Sequence, residues 1–311
     1  MKVASLSVSL QSNQFFIFIT LEPVRRLLKL IAMNKLFTIY FIMLCTLMFG
    51  QNKRFIYEYQ LIPDSANVAD VKKEMMYLDT SKDGSKYYSY TVFNSDSLMK
   101  VDLEKQLAAT GSINIKSDMQ KGNVRYSVTK TYPDYKVNLH RRLGMDAYNI
   151  SEDRKINWKI ASDKEKIGEW NAQKAEADFA GRHWIAWFST DIPIQDGPYK
   201  FYGLPGLIVK IEDKTVSHKM ELRGIKNINS DLDINVFNAK EVSVNQKQFQ
   251  KVMSDYENDP TKGIRQMQMG GTTVIMTGKD SNSVKFAKEQ EERLKNQIKK
   301  DNNRIELDIV K

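Results

Sequence analysis

The segment from Arg182 to Ile211, RHWIAWFSTDIPIQDGPYKFYGLPGLIVKI, constrains the fold of this chain more than any other. It holds two of the four tryptophans and three of the seven prolines. The apolar run Trp184–Phe188 predicts a strand covered on both faces, and the alternation within Leu207–Ile211 predicts a second strand with one apolar face. We call Arg182–Ile211 the signature segment, and it predicts two strands joined by a proline-rich connection.

A tight turn is expected to end that connection. Pro205 fixes φ at the first central position of a turn, and Gly206 can take a positive φ at the second, which predicts a type II turn. Leu204 precedes proline and is expected to be extended. We expect Gly203 to allow close approach of the backbone. The structural signature is therefore six consecutive residues: Gly203, Leu204, Pro205, Gly206, Leu207 and Ile208.

Alternating apolar residues predict further strands before the signature segment. Phe55–Leu61 alternates and stops at a Pro-Asp pair, which predicts a strand with one apolar face. Met75–Asp79 and Tyr87–Phe93 flank an Asp83-Gly84 pair, which predicts a hairpin. Tyr126 and Val128 alternate in the same way.

Three stretches predict helices. They are Ser97–Ala109, then Val244–Tyr256 with Ser243 as its N-cap, and finally Ser283–Lys300, which is rich in Glu and Lys four residues apart. Helices thus flank a strand-rich middle. We expect an α+β fold, with a curved, mainly antiparallel sheet covered on one face by helices.

The N-terminus has the features of an export signal. Met33–Lys35 is a short basic region, Leu36–Phe49 is an uncharged apolar run, and Gly50 offers a small residue at a cleavage point. The run is short for a membrane span, which needs about 20 residues. An uncleaved anchor, helped by the apolar stretch 15–21, is the alternative. We expect residues 1–50 to be an upstream extension plus signal peptide starting at Met33, and residues 51–311 to be one exported domain. Its expected location is the periplasm or cell envelope, with secretion from the cell as the alternative.

Charge and cysteine content exclude several functions. Five basic residues and one acidic residue lie within residues 1–50, which leaves a net charge of +5 of the total +9 for the remainder. That excess is dispersed, so we expect no nucleic-acid partner. The single cysteine, Cys45, lies in the predicted signal, so the exported chain would have no disulfide and no thiol nucleophile.

No catalytic or cofactor motif is present. The three histidines are His140, His183 and His218, and they do not follow the spacing of a helix-borne metal pair. The chain has neither a G-x-S-x-G elbow nor a nucleotide-binding glycine pattern. We therefore expect no metal and no cofactor, although side chains that converge only in space escape this test.

The signature segment resembles the GLPGLI family of exported bacterial proteins. The resemblance is carried by Asp196–Phe201 and by the complete hexapeptide Gly203–Ile208. It is supported by Lys174-Ala175, Gly181-Arg182, Ala186–Phe188, Ile192-Pro193 and Ile305–Leu307. Family members often carry a cysteine before the Lys-Ala pair, where this chain has Ala172. The resemblance implies export and a fold, but no reaction, because the family has no established activity.

The polar residues and tryptophans of the signature segment are the candidates for function. We expect a non-catalytic binding protein that holds a hydrophobic ligand or an outer-membrane partner near the GLPGLI turn. A purely structural partner of an outer-membrane assembly is a further possibility. The alternative is an envelope hydrolase in which Asp191, Asp196 or His183 converge in a cleft. The predicted surface comprises Arg182, Trp184, Trp187, Asp191 and Asp196.

Overall fold

A computed structural model describes residues 52–111, 121–144, 146–229, 240–263 and 283–309. The predicted extension and signal peptide, residues 1–50, lie outside the described residues. Within the described parts, no helix is both long enough and apolar enough to cross a membrane.

Twelve strands of the described residues form one sheet. Their order across the sheet is β12-β6-β5-β4-β3-β2-β1-β11-β10-β9-β8-β7. Every neighbouring pair is antiparallel except β12 and β6, which are parallel. The strands are β1 Lys53–Leu61, β2 Lys72–Thr80, β3 Gly84–Ser89, β4 Tyr126–Thr131, β5 Lys136–Leu143, β6 Asp146–Glu152, β7 Lys159–Ile167, β8 Trp170–Phe179, β9 Arg182–Ser189, β10 Leu207–Asp213, β11 His218–Asn227 and β12 Val242–Asn245.

The chain builds this sheet in two runs. Strands β1 to β6 add one after another in one direction, and β7 then takes the opposite edge. Strands β8 to β11 return from that edge until β11 pairs with β1. The two strands of the signature segment, β9 and β10, therefore belong to the second run.

Alternating hydrophobic residues form the buried face of the central strand β1, as predicted. In β1 the side chains of Phe55, Tyr57 and Tyr59 are buried, while the residues between them are only partly buried. The hairpin of β2 and β3 is confirmed too. Its Gly84 is required, because a Cβ there would lie 2.2 Å from the carbonyl oxygen of Lys130.

The helices are α1 Tyr90–Thr110, α2 Gln246–Asn258 and α3 Ser283–Lys300, and a short 3-10 helix spans Leu307–Ile309. The bounds predicted for α3 are confirmed, but the other two were misplaced. Helix α1 begins at Tyr90 because the Ser89 side chain caps it, so the predicted strand does not extend to Phe93. Helix α2 is capped by Asn245 instead of Ser243, which lies within β12.

Within the described residues, a large, mostly antiparallel sheet with three α-helices confirms the predicted class. Helix α1 contacts β2 and β3, while α2 contacts β6, β12 and the 3-10 helix.

Candidate functional site

Residues 190–206, which join β9 to β10, form what we call the connector. Its turn is not the predicted type II turn, since Gly206 lacks a positive φ. The Gly206 N–H instead donates to the carbonyl oxygen of Leu204 at 2.8 Å, which closes a three-residue turn around Pro205.

The two glycines of the turn exchange their predicted roles. A Cβ on Gly206 would lie 2.2 Å from the carbonyl oxygen of Ser189, so Gly206 provides the close backbone approach. Gly203 has a φ of +90°, and a Cβ there would meet no described atom within 4 Å. Gly203 is therefore required for its backbone conformation.

Strand β9 buries one face completely. Arg182, Trp184, Ala186 and Phe188 are buried, whereas the residues between them, including Trp187, are only partly buried. The prediction of a strand covered on both faces thus holds fully for one face only. The indole N–H of Trp184 donates to the carbonyl oxygen of Phe179 at 3.0 Å, which satisfies its polar atom.

Asp196 is the centre of a buried polar cluster. Its carboxylate lies 2.5 Å from Nζ of Lys130, and both side chains have no exposed surface. The Ser85 hydroxyl donates to Oδ2 at 2.5 Å, and the Tyr132 hydroxyl donates to the same oxygen. Asp196 is therefore an interior group instead of a surface acid.

Lys200 lies at the centre of a second buried cluster. Its Nζ lies 2.8 Å from Glu152 and 2.5 Å from Glu306. Arg154 contacts both of these carboxylates, at 2.7 and 3.0 Å. The hydroxyl of Tyr199 donates to Glu306 at 2.5 Å. Lys200 and Glu306 are 0% and 1% exposed, so the charges neutralise one another almost without solvent.

This cluster shifts the acidity of its carboxyls. Burial alone raises the pKa of a carboxyl, but Arg154 and Lys200 outweigh it and lower the pKa of Glu152 from 4.5 to about 2. The same two cations lower the pKa of Glu306 against its burial. Both carboxyls are held ionised and are poor candidates for a general acid.

Arg182 joins the sheet to the C-terminal segment. Its guanidinium pairs with Asp213 at 3.1 Å and donates to Oδ1 of Asn303 at 2.8 Å. His218, nearby, contacts the Asn303 carbonyl oxygen through Nε2 at 2.8 Å and the Tyr59 hydroxyl through Nδ1 at 2.7 Å. These contacts fit a neutral imidazole with its proton on Nε2. Burial, with Arg182, lowers the pKa of His218 to about 4.

Asp191, one of the predicted site residues, lines an open cleft. The cleft has a volume of about 400 Å³ and lies where β7, β8 and β9 meet the start of the connector. Asn171 donates to Asp191 across 3.5 Å. The cleft is lined mainly by polar residues: Lys164, Glu165, Lys166, Asn171, Ala172, Gln173, Phe188, Thr190 and Asp191.

The three groups proposed for a hydrolase have separate partners. His183 pairs with Asp178 at 2.8 Å, Asp191 contacts Asn171, and Asp196 is enclosed with Lys130. Among the hydrogen bonds of the described residues, none joins any two of these three groups. Nor do any three described His, Cys, Asp or Glu residues cluster closely enough to hold a metal ion.

Sequence reasoning missed the partners of the connector. Lys130 follows Tyr126 and Val128 at the same two-residue spacing, so alternation places it on the same face of β4. A lysine at such a position is the signal for a buried ion pair. The sequence offers no comparable signal for the contact of Lys200 with Glu152 and Glu306.

Comparison with known proteins adds little beyond the signature segment. A family model described as "Protein of unknown function (Porph_ging)" matches residues 178–210. This match is to an uncharacterised family. No curated protein matches this chain in sequence.

Two solved structures of PNGF-II, in different space groups, resemble part of the chain. They are 14% and 15% identical, with TM-scores of 0.46 and 0.44, and the matches cover 65% and 63% of this chain. They cover 33% and 31% of the PNGF-II chains, so this chain spans about a third of their length. A likeness this weak carries no argument about fold or function.

Proposed function

We propose that the protein is exported to the bacterial cell envelope and acts there as a non-catalytic binding protein. In this proposal it belongs to the GLPGLI family, and an extended segment of an envelope protein docks at the cleft beside β7. Export is supported by the basic and apolar segments before Gly50. Strand β1 begins at Lys53, so cleavage after Gly50 leaves that strand intact.

One observation carries the choice of surface. Three of the five residues predicted for binding, Arg182, Trp184 and Asp196, are buried and have partners inside the protein. Trp187 is partly buried, and Asp191 lines an open cleft. Binding near the signature segment therefore has its best surface at Asp191. The open, polar lining suits a protein segment better than a hydrophobic ligand.

The neighbouring strand suits an extended partner. β7 is the edge of the sheet, with no strand partner on its outer side among the described residues. Its register with β8 shifts between Ile160 and Lys164, and regular pairing resumes from Lys164 to Ile167. This register shift and the charged side chains of β7 disfavour pairing with the same edge of a second copy of the protein. The regular stretch leaves a short edge for β-augmentation.

Two lysines set the preferred chemistry of the partner. Lys164 and Lys166 are two residues apart in β7, so they share one face, and both line the cleft. The cleft is also lined by Glu165, which alternation places on the other face of β7, and by Asp191, which accepts a hydrogen bond from Asn171. An extended segment with acidic residues two apart would present its carboxylates at the matching spacing. We expect such a segment to bind, and its affinity to fall with added salt.

We further propose that the sheet is curved, with its helices covering part of one face. Strands β3 and β10 are four positions apart, which is about 19 Å in a flat sheet. Asp196 nevertheless contacts Ser85 of β3 through its carboxylate and Ile208 of β10 through its carbonyl oxygen, at 2.5 and 3.0 Å. Curvature that turns β3 toward β10 accounts for both contacts.

Site-specific photocrosslinking tests the binding surface. A photoreactive residue replaces Asn171, which lines the cleft, or Asp178, which is exposed near the other end of β8. In cells that express each variant, we expect an envelope protein to be crosslinked from position 171 and not from position 178. Equal crosslinking from both positions, or none, would contradict the proposed surface.

A binding measurement then tests the chemistry. The segment crosslinked to position 171 is synthesised, and its affinity for the purified protein is measured. We expect K164E/K166E to weaken binding at least tenfold, while K174E, on the same sheet but outside the cleft, leaves it unchanged. Unchanged binding by K164E/K166E would refute the role of the lysine pair.

A further inference from the structure

The contact between Lys130 and Asp196 has the arrangement of two reactants held together. Nζ of Lys130 lies 2.5 Å from Oδ1 of Asp196, and neither side chain is exposed. Lys130 is in β4 and Asp196 in the connector, so the contact joins distant parts of the chain. Fixed contact between an amine and a carboxyl raises their effective concentration by orders of magnitude.

Every polar side-chain atom of Lys130 and Asp196 has a hydrogen-bond partner. Oδ2 accepts hydrogen bonds from the hydroxyls of Ser85 and Tyr132. The backbone N–H of Gly197 donates to Oδ1 at 2.6 Å. Nζ donates to the carbonyl oxygen of Gly197 at 2.6 Å and to that of Phe201 at 3.2 Å. Both groups are thus oriented by neutral partners.

Burial favours the neutral, nucleophilic form of Lys130. A lysine without water loses the solvation of its charged form, and this lowers the pKa of Lys130 against the opposing effect of Asp196. Proton transfer within the pair gives a free amine beside a carboxylic acid. Hydroxyl donors at Oδ2 stabilise the charge that develops on that oxygen during attack.

We propose that Lys130 and Asp196 join in an intramolecular isopeptide bond. Nζ attacks Cγ and forms the C–N bond, and the bond from Cγ to Oδ1 breaks. Two protons of the lysine ammonium pass to Oδ1, which leaves as water. The ammonium and carboxylate thus become one amide and one water molecule, with no oxidant or other reactant required.

The amide fits the same partners. Its carbonyl oxygen is the former Oδ2, which keeps the hydroxyls of Ser85 and Tyr132 as donors. Its single N–H retains a carbonyl acceptor from Gly197 or Phe201. Loss of Oδ1 removes the acceptor of the Gly197 N–H, and one of the two carbonyl oxygens loses its donor. The water that is released can bond to both groups at the same place.

The second buried lysine lacks these conditions. Lys200 contacts Glu152 and Glu306, but Arg154 contacts both carboxylates as well. The two cations hold the pKa of each carboxyl below its ordinary value, and an ionised carboxylate resists attack by an amine. Lys200 therefore provides a matched control, buried and ion-paired but not cross-linked.

A covalent cross-link at this position would stabilise the fold. The chain has one cysteine, Cys45, so it can form no internal disulfide. A bond from Lys130 to Asp196 closes a loop that spans both runs of the sheet. It would make the fold resistant to unfolding in an environment outside the cell.

Intact-mass spectrometry of the purified protein tests the proposal. We expect the wild type to be lighter than its sequence by one water, and a protease digest to contain a branched peptide joining Lys130 to Asp196. K200M should retain that deficit relative to its own sequence, and K130M should lose it. D196N would release ammonia instead of water, so its mass should equal that of the wild type.

The wild-type mass alone can overturn the proposal, whether or not the variants fold. A mass equal to that of the sequence, with Lys130 and Asp196 recovered in separate peptides, would show an ordinary ion pair. A deficit of one water that persists in K130M would place the reaction elsewhere and would equally refute it.

Discussion

Replacement of Lys200 by methionine should destabilise the protein strongly and change its response to acid. The substitution removes the ammonium but keeps an apolar side chain of similar length. Arg154 then remains as the counter-charge for Glu152 and Glu306, both nearly without solvent. Breaking a buried pair in this way costs about 3–5 kcal/mol at neutral pH.

The acid response follows from the pKa of Glu152. Its folded value of about 2 lies below the ordinary 4.5, so the ionised group adds stability above pH 4.5 that is lost as the pH falls toward 2. The shift corresponds to about 3 kcal/mol. Without Lys200 this contribution should shrink, although Arg154 still lowers the pKa of Glu152 through its hydrogen bond. The difference in free energy of unfolding between wild type and K200M should therefore narrow as the pH falls from 4.5 toward 2.

Urea unfolding followed by tryptophan fluorescence at pH 7 and pH 3 measures both effects. Urea is uncharged and does not screen the ion pairs. K174M is the matched control, because Lys174 pairs with Glu176 at 2.7 Å on the surface. We expect K174M to behave like the wild type. A K200M deficit that is small at pH 7, or equally large at both pH values, would refute the reasoning.

Three further predictions concern local structure. In thermal unfolding, G206A should lower the free energy of unfolding by about 1–3 kcal/mol, because its Cβ meets a backbone carbonyl. G224A is the control and should be near neutral, because its Cβ would meet no described atom within 4 Å. Burial lowers the pKa of His218 from 6.5 to about 4 in the folded protein, so about 3 kcal/mol of stability should be lost as the pH falls from 6.5 to 4. In urea titrations, H218Q should lack this dependence on pH. N245A should cost about 1 kcal/mol and S243A little in denaturant unfolding, since Asn245 caps α2; equal losses would contradict this assignment.

Local patterns predicted the strands because alternation and turn chemistry act over a few residues. The buried residues Phe55, Tyr57 and Tyr59 and the Asp83-Gly84 hairpin are examples. The position of β7 on the far edge, beyond β8, depends on pairings between distant residues. No short pattern in the sequence contains that information.

The candidate site was predicted less well for the same reason. Asp196 was expected near a surface, and Lys130, which neutralises it, lies 66 residues earlier in the chain. The roles of Gly203 and Gly206 were exchanged, because the approach of Ser189 to Gly206 is a tertiary contact. Asp191 is exposed and lines a cleft, but that cleft depends on β7 and β8, which no pattern near Asp191 indicates.

The central claim is that the connector is an interior segment held by the clusters around Asp196 and Lys200. Native-state hydrogen exchange of the amides between residues 196 and 203 tests it most directly. We predict protection close to that of the central strands β1 and β11, and a selective loss of that protection in K200M. Exchange as fast as in an exposed turn, in the wild-type protein, would contradict the claim.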